Sequence, residues 1–264
     1  MTMIEISPNN KELAVIFVNY RSIFHLSRAL RSLERDPFFR ENAQLIIVNQ
    51  DDTEQRALSV LSEQRGCRLI GRANHGFASG ANSGTSFAGA RYIVFLNPDT
   101  QYHTGSLRDG IELFQKKEKL GIVGATLLSD RDPEPWSKGR FLTLPRLFWN
   151  NIFPKVSREG CDEIDWVSGG ALFIRKELFQ ALGGFDENFF LYFEDMDLCK
   201  RASDGGFSVE FLPSLQFSHQ GGKSFSSKQL QKKYYADSQV QYFKKHRPFW
   251  EWRCVSIFHG MKIW

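Results

Sequence analysis

Three short apolar runs constrain the fold of this 264-residue chain more than any other feature. Residues 13–18, 45–48 and 92–96 are almost entirely aliphatic or aromatic, which is typical of strands buried on both faces of a sheet. Segments with helical spacing of apolar residues lie between the runs, and Thr53 is the expected cap of the second helix. This alternation predicts an α/β fold with a mostly parallel, Rossmann-like central sheet flanked by helices.

An asparagine follows each of the three runs, namely Asn19, Asn49 and Asn97. Ligands of such sheets bind beyond the carboxyl ends of the strands, so we expect a site there. The first turn has no Gly-x-Gly-x-x-Gly pattern, which argues against an ordinary dinucleotide fold. A glycine-rich segment at residues 74–82 has two interpretations that stay open: a turn into a helix, or a close backbone approach to a ligand.

Two acidic clusters follow apolar runs about 95 residues apart: Asn97-Pro98-Asp99 and Glu194-Asp195-Met196-Asp197. Carboxylates beside apolar elements are costly unless they are paired, hydrogen-bonded or bound to metal. The first cluster is either a turn or a site for a divalent ion with a diphosphate. The second is either a helix start favoured by the dipole or a source of a general base. A lone histidine such as His219 is more often structural or solvated than a ligand.

The second half of the chain is less regular. Residues 129–162 are rich in Pro, Trp, Arg and Asp and are expected to form a long loop. Residues 228–245 are expected to form a long basic helix. The segment 223–264 carries a net charge of +7, whereas the whole chain carries +4, so the preceding part is slightly acidic.

The basic tail is also aromatic, and two interpretations of it stay open. An interfacial helix on anionic lipid has this composition, and so does a packing helix with a solvated basic face. Nucleic acid is a poorer explanation, because the preceding part is acidic and shows no nucleic-acid module. The four cysteines form no C-x-x-C pair, and no signal pattern or run of about 20 apolar residues occurs. We therefore expect a cytoplasmic protein, with peripheral contact to the inner face of the cytoplasmic membrane as the open alternative.

In combination the motifs resemble the inverting family 2 glycosyltransferases, and most closely their bacterial rhamnosyltransferase-like branch. The resemblance covers about residues 13–225. It depends on the shared order and spacing of seven segments: residues 18–20, 74–82, 95–99, 166–171, 183–187 and 194–199, and His219.

The resemblance implies a GT-A fold with a glycosyltransferase domain over residues 1–225 and a helical extension over 226–264. Residues 13–100 would bind the nucleotide sugar, and residues 101–225 would bind the acceptor and carry catalysis. It implies Asp195 as the catalytic base, with Glu194 beside it. Asp99 and His219 are the implied ligands of Mg²⁺ or Mn²⁺. The implied donor-binding residues are Val18, Asn19, Tyr20, Asn49, Asp51, Asn74, Gly76, Phe77, Asn82, Asn97, Pro98 and Asp99. The implied acceptor-binding residues are Trp166, Gly169 and Gly170.

The branch implies transfer of L-rhamnose from dTDP-L-rhamnose to a lipid-linked saccharide, as in the synthesis of O-antigen and other cell-surface polysaccharides. Two departures bear on the donor and the metal. Asn97 stands where many members carry the first aspartate of D-x-D, and Asn49 stands at the usual position of a base-recognising aspartate, with Asp51 or Asp52 as substitutes. The alternatives are a UDP- or GDP-linked sugar, a non-catalytic nucleotide-sugar-binding homologue, or a sugar-nucleotide-forming enzyme on a related fold.

Overall fold

The computed structural model describes residues 11–129, 132–134, 136–152, 163–219 and 227–260. Strands in chain order are Leu13–Asn19 (β1), Ala43–Asn49 (β2), Arg68–Gly71 (β3), Tyr92–Leu96 (β4), Thr100–Thr104 (β5), Leu120–Ser129 (β6), Asp132–Pro133 (β7), Lys138–Gly139 (β8), Trp166–Val167 (β9), Ala171–Arg175 (β10) and Ser208–His219 (β11). Helices are Ile23–Leu33 (α1), Pro37–Asn42 (α2), Gln55–Arg65 (α3), Phe77–Thr85 (α4), Leu107–Lys116 (α5), Leu144–Ile152 (α6), Lys176–Ala181 (α7), Glu194–Asp204 (α8), Lys228–His246 (α9) and Phe249–Gly260 (α10).

One mixed sheet organises the described residues, with strand order β3-β2-β1-β4-β10-β6-β11-β5 and β7 added beside β6. Strands β1 to β4 are parallel to one another, and the register of β1 and β2 places Asn19 directly opposite Asn49. β10 runs antiparallel between β4 and β6, and β5 runs antiparallel to β11. The predicted α/β fold with a mostly parallel central sheet is therefore confirmed.

Alternate residues of β1 face opposite layers of helices. Leu13, Val15 and Phe17 pack with the layer that contains α1 and α5, whereas Ala14 and Ile16 pack with the layer that contains α4 and α8. All five side chains are fully buried. This two-sided burial explains why the strand has no polar alternation in the sequence.

A third apolar cluster joins the C-terminal helices to the rest of the protein. Tyr242 and Phe243 of α9 and Val255 of α10 are fully buried against Phe189, Phe193 and Met196, the residues around the start of α8. The expected basic helix is confirmed as α9, and half of its aromatic residues are core. No helix among the described ranges is long and apolar enough to cross a bilayer. Trp264 and Cys161 lie outside these ranges.

Two local expectations were wrong. The segment 129–162, expected to be loop, contains α6, because Leu144, Leu147 and Phe148 recur at helical spacing and Thr143 accepts from Arg146 N with its hydroxyl at 3.3 Å. Thr53 does not cap α3. Its backbone N–H instead donates to the Asp51 side chain (2.9 Å), which starts a 3₁₀ turn before α3 begins at Gln55.

A buried carboxylate ties α8 to α9. Asp197 is fully buried, with its oxygens 2.7 Å from Arg201, 2.7 Å from Lys245 Nζ and 2.7 Å from His246 Nε2. Burial alone would raise the pKa of Asp197, but the hydrogen bond from His246 and the charge of Arg201 outweigh burial and hold it below its ordinary value. A lone buried carboxylate is strongly destabilising, so these partners keep the start of α8 in place.

We expect Asp197→Ala to lower the free energy of unfolding by about 3 kcal/mol at neutral pH, because three cationic or polar partners lose their buried acceptor. Chemical denaturation measures this loss. Because the folded pKa is depressed, the Asp197 contribution is present above the unfolded pKa and disappears as pH falls through the folded pKa. The matched control is Asp204→Ala on the same helix, whose exposed pair with Lys200 predicts a change within about 0.5 kcal/mol. Equal effects of the two variants would contradict this role.

Candidate active site

Two asparagines close the carboxyl ends of β1 and β2. The fully buried Asn19 donates from Nδ2 to Asn49 Oδ1 (3.2 Å) and to Glu54 Oε2 (2.9 Å). Asn49 in turn donates to the Asp51 carbonyl oxygen at 2.6 Å. Asn19 Oδ1 is buried and accepts no hydrogen bond from any residue in the described ranges. This polar corner therefore offers amide groups to a ligand beside an otherwise apolar strand end.

Glu54 is a site residue that sequence reasoning missed. Its carboxylate accepts from Ser22 N (3.0 Å) and Ile23 N (3.2 Å) as well as from Asn19, so it fixes the turn from β1 into α1. The available signal was the acidic run at residues 51–54 directly after β2. Beside it, Arg21 pairs with Asp51 at 2.8 Å and lies over the Tyr20 ring at 5.2 Å.

The glycine-rich segment makes a close backbone contact. Gly76 has φ +93°, and a Cβ there would collide with the Phe190 carbonyl, which accepts from Phe77 N at 3.0 Å. Gly76 O accepts from the buried Gln50 Nε2 (2.9 Å), and Asn74 Oδ1 accepts from Gly76 N (3.0 Å). The segment is therefore anchored to β2 and to the chain that precedes α8, and α4 begins directly after it.

Asn82 lies on α4 with its amide turned to the 184–187 segment. It donates to the Phe185 carbonyl and to Glu187, both at 2.9 Å, and accepts from Phe185 N at 2.9 Å. Its position is close enough to Gly184 that a Cβ there would lie 2.5 Å from Asn82 Oδ1. The amide of Asn82 thus positions this loop.

The structure brings the two acidic clusters together through Gly169 and Gly170. Asn97 N donates to Gly170 O at 3.2 Å, and Gly169 N donates to Asp195 Oδ2 at 2.8 Å. A Cβ at Gly169 would lie 3.6 Å from both Asp195 and Phe77. Residues from β4, the 168–170 turn, α4 and α8 therefore meet at one place, which the sequence could suggest but not locate.

The chain turns sharply just before α8. Tyr192 and Phe193 have φ of 69° and 66°, a left-handed conformation that costs free energy in residues with a Cβ. Glu194 follows, almost fully buried, and its Oε2 has no hydrogen-bond partner in the described part of the chain. Burial first, and the charge of Asp195 second, raise the pKa of Glu194 well above its ordinary value.

Asp195 is half-buried and therefore more accessible than Glu194. Burial raises the pKa of Asp195, although hydrogen bonds from Gly169 N and Met196 N oppose that rise. A carboxylate with a raised pKa and fixed orientation is suited to accept a proton from a hydroxyl. Of the adjacent pair, Asp195 is the one that a substrate can reach.

A second acidic centre surrounds His219. Its Nε2 lies 3.2 Å from Asp99 Oδ1, and its Nδ1 lies 3.3 Å from Glu134 Oε2. All three side chains are buried. Burial disfavours the charged form of each of these three side chains. The hydrogen bond and charge shared with His219 nevertheless hold the pKa of Asp99 below its ordinary value, whereas burial raises the pKa of Glu134. Contacts with Asp99, and then Glu134, raise the pKa of His219.

Asp99 and His219 are the groups that could hold a cation here. In the described ranges no set of three or more His, Cys, Asp or Glu side chains could hold a metal ion. Two protein ligands are nevertheless adequate for Mg²⁺ or Mn²⁺ when substrate phosphates supply further oxygens. The adjacent carboxylate and imidazole therefore fit such an ion when water or a diphosphate supplies the remaining oxygens.

Aromatic side chains lie around the turn that precedes Asp195. Tyr235 of α9 is 48% exposed, and its ring centroid lies 5.1 Å from that of Phe193 and 5.7 Å from that of Tyr192. Trp166, half-buried, donates from Nε1 to the Arg140 carbonyl at 3.2 Å. The sequence did not indicate Tyr192 or Tyr235.

Two family profiles match the chain. Residues 14–183 match the profile of Glycosyl transferase family 2, and residues 162–222 match that of the N-terminal domain of galactosyltransferase. The chain belongs to glycosyl transferase family 2. It is a glycosyltransferase, and the resemblance seen in the sequence motifs is confirmed.

Relatives within glycosyl transferase family 2 include rhamnosyltransferases. N-acetylglucosaminyl-diphospho-decaprenol L-rhamnosyltransferase of Mycobacterium tuberculosis is 24% identical over 78% of this chain and 75% of its own length. Rhamnosyltransferase WbbL of Escherichia coli (strain K12) is 24% identical over 88% of this chain and 93% of its own length. The similarity to each relative therefore extends over most of both chains.

Solved structures confirm the GT-A fold of this family 2 member. A mannosyltransferase from Pyrobaculum calidifontis, in complex with GDP-Man and Mn²⁺, matches 90% of this chain and 65% of its own, with a TM-score of 0.62 and 17% identity. GalNAc-T7 with UDP, GalNAc and Mn²⁺ matches 90% of this chain and 48% of its own, with a TM-score of 0.66 and 13% identity. At these identities the likeness shows the fold alone.

We expect Glu194→Gln to raise the free energy of unfolding by about 1 kcal/mol at pH 7–8, because it removes a buried and incompletely hydrogen-bonded carboxylate. Glu194 keeps its proton in the folded state over a range where the unfolded chain has lost it. Its contribution to stability is therefore complete below the unfolded pKa and is lost as pH rises toward the folded pKa. Denaturation of both proteins between pH 5 and pH 9 should show a smaller decline for the variant. Parallel curves would contradict the raised pKa.

Proposed function

We propose that this glycosyltransferase transfers L-rhamnose from dTDP-L-rhamnose, with inversion, to a hydroxyl of a lipid-linked saccharide in cell-surface polysaccharide synthesis. The observation that carries the proposal is the half-buried Asp195, oriented by Gly169 N and joined to the Asn97–Asp99 turn through Gly170. The names of two relatives support the sugar and the class of acceptor. A UDP- or GDP-linked donor is the alternative within the same fold, and a non-catalytic homologue is the alternative to turnover.

The donor would lie along the carboxyl ends of β1, β2 and β4. Asn19, Asn49 and Asp51, with the Tyr20 ring beside them, offer amide, carboxylate and aromatic contacts to a nucleoside. Val18, near the end of β1, packs against α4 and so supports this corner. The Asn74-to-Phe77 segment and the Asn97-Pro98-Asp99 turn border the sugar and diphosphate. Asn82 acts through the 184–187 loop that it holds.

Asp99 and His219 would hold Mg²⁺ or Mn²⁺ together with the diphosphate of the donor. A bound divalent cation supplies positive charge against the departing nucleoside diphosphate. The low pKa of Asp99 keeps its carboxylate ionised for this role.

Asp195 accepts the proton of the acceptor hydroxyl as that oxygen forms a bond to the anomeric carbon. The bond from this carbon to the diphosphate breaks, and both of its electrons leave with the nucleoside diphosphate. A positioned general base contributes about 10²–10⁴-fold to such a step. The two N–H donors on Asp195 keep the carboxylate from rotating away.

The acceptor would approach between the Gly169–Gly170 turn and the aromatic side chains of α9. Gly169 leaves room beside Asp195, because a Cβ there would lie only 3.6 Å from the base. Trp166 supports the turn from β9, and Tyr192 and Tyr235 offer ring faces to a sugar.

The experiment for this proposal is a panel of dTDP-, UDP- and GDP-sugars tested for hydrolysis and for transfer to N-acetylglucosaminyl-diphospholipid. For the donor that reacts, we expect Asp195→Asn to lower turnover by 10²–10⁴-fold, because the amide cannot accept the proton. Donor binding, measured by calorimetry, should be unchanged.

Asp204→Asn on the exposed end of α8 is the matched control and should keep full activity. Transfer by Asp195→Asn near the wild-type rate would refute the assignment of the base. Absence of any donor hydrolysis or transfer by the wild-type protein would favour the non-catalytic homologue.

We also propose that α10 contacts the membrane surface that carries the acceptor. Phe249 is 71% and Trp250 57% exposed at the start of this helix, and Ile257 and Arg253 are exposed further along. α6, whose Trp149 is exposed, is adjacent, since Phe148 meets Phe258 at 5.4 Å. Exposed aromatics together with the basic charge of residues 223–264 suit an anionic lipid interface.

We expect the double variant Phe249→Ser/Trp250→Ser to co-float severalfold less with vesicles that contain phosphatidylglycerol, because two interfacial side chains are lost. Point variants are preferable to truncation, since α9 contributes Tyr242 and Phe243 to the core. Phe24→Ser, at a residue 66% exposed on α1, is the control and should float like wild type. Equal flotation of all three proteins, or flotation of none, would exclude the α10 surface as a lipid contact.

A further inference from the structure

Glu134 is a buried carboxylate for which the proposed transfer has no use. It is only 6% exposed, although it follows the exposed β7 in a segment rich in polar residues. Its backbone is held at both ends: Glu134 N donates to the Leu127 carbonyl of β6 (2.8 Å), and Glu134 O accepts from Ser137 N (3.0 Å) and Ser137 Oγ (2.8 Å). The side chain is therefore directed inward by a fixed backbone.

The inward direction leads to His219. The Nδ1 atom of His219 lies 3.3 and 3.4 Å from the two carboxylate oxygens of Glu134, while Nε2 faces Asp99 at 3.2 Å. The Trp136 ring covers the imidazole edge-on, with ring centroids 5.1 Å apart. The imidazole is thus confined between two carboxylates and an aromatic ring, and each nitrogen has a different neighbour.

These neighbours decide which nitrogen carries the proton of the neutral imidazole. Asp99 lies at hydrogen-bond distance from Nε2, but a cation bound between them would need the lone pair of Nε2. The ring proton would then be on Nδ1, where a Glu134 oxygen lies at 3.4 Å as its acceptor, which is the arrangement of a metal-ligating histidine.

We propose that Glu134 is a positioning residue for the cation site: it holds His219 in the tautomer that directs Nε2 to a divalent cation at Asp99. This inference rests on the proposed cation at that site. Because Asp99 and His219 are the two protein groups that fit the cation, the orientation of one imidazole has a large influence on affinity. Glu134 itself does not touch the cation, the donor or the acceptor.

A purely structural role makes a different prediction. If Glu134 only stabilised the fold through His219, its loss would lower stability and leave the affinity of the folded protein for the metal unchanged. Mn²⁺ alone is a suitable probe, because electron paramagnetic resonance reports the free ion directly, and spin-echo modulation reports a coordinated imidazole nitrogen.

The experiment titrates Mn²⁺ alone into the full chain. We expect Glu134→Gln to raise the Mn²⁺ dissociation constant about 10–100-fold and to weaken the imidazole nitrogen modulation, because the amide does not fix the tautomer. Glu134→Asp, which retains the charge, should recover part of the affinity. Asp132→Asn, at the exposed carboxylate of β7, is the matched control and should bind like wild type.

A double-mutant cycle with His219→Ala identifies the route of the effect. In the His219→Ala background Glu134→Gln should cause no further loss of affinity. Unchanged affinity of Glu134→Gln in the wild-type background would overturn the inference, and so would an equal loss in both backgrounds, which indicates a general charge effect. If wild-type protein binds no Mn²⁺, the proposed cation and this inference both fail, whereas the role of Asp195 in transfer is judged separately by Asp195→Asn.

Discussion

The antiparallel pairing of β10 with β4 is the interaction on which the site depends. It aligns Ala171 with Leu96 and lets Asn97 N donate to Gly170 O, so that the turn before β10 lies against the end of β4. Gly169, one residue earlier, then reaches Asp195 at 2.8 Å. Without this reversed strand the Asp195 carboxylate of α8 would have no fixed relation to the Asn97–Asp99 turn.

The residues next to Asp195, the proposed base, raise the free energy of the folded state through their backbone conformation and through burial of a polar group. Two consecutive left-handed residues, Tyr192 and Phe193, and the buried Glu194 each oppose folding. Packing behind them compensates, since Phe193 lies in the same apolar cluster as Tyr242 and Phe243 of α9. Ser238 of α9 also donates to the Leu191 carbonyl at 2.7 Å. α9 thus helps to hold the turn that precedes Asp195.

The sequence was informative for the buried strands, whose signal is local. A strand buried on both faces has a continuous apolar run, so β1, β2 and β4 and the asparagines after them could be predicted. The roles of Glu54 and Glu134 could not be predicted, because each side chain contacts residues far away in the sequence. The Glu134–His219 contact spans 85 positions. That contact depends on the register of β6 against β11, which no local pattern encodes. α6 has a local signal in the spacing of Leu144, Leu147 and Phe148, but the polar, proline-containing sequence around it favoured a loop. Glu251 of α10 also holds its first turn, by accepting from Leu144 N at 3.0 Å.

The network around Asp197 affects the order in which the protein folds during translation. Lys245 and His246, two of its partners, are made about 50 residues after Asp197 itself. Until they leave the exit tunnel, α8 carries a carboxylate that the core cannot accept without them. Strands β1 to β4 can therefore form early during translation, whereas α8 and Asp195 acquire their final setting only after Lys245 and His246 have been made.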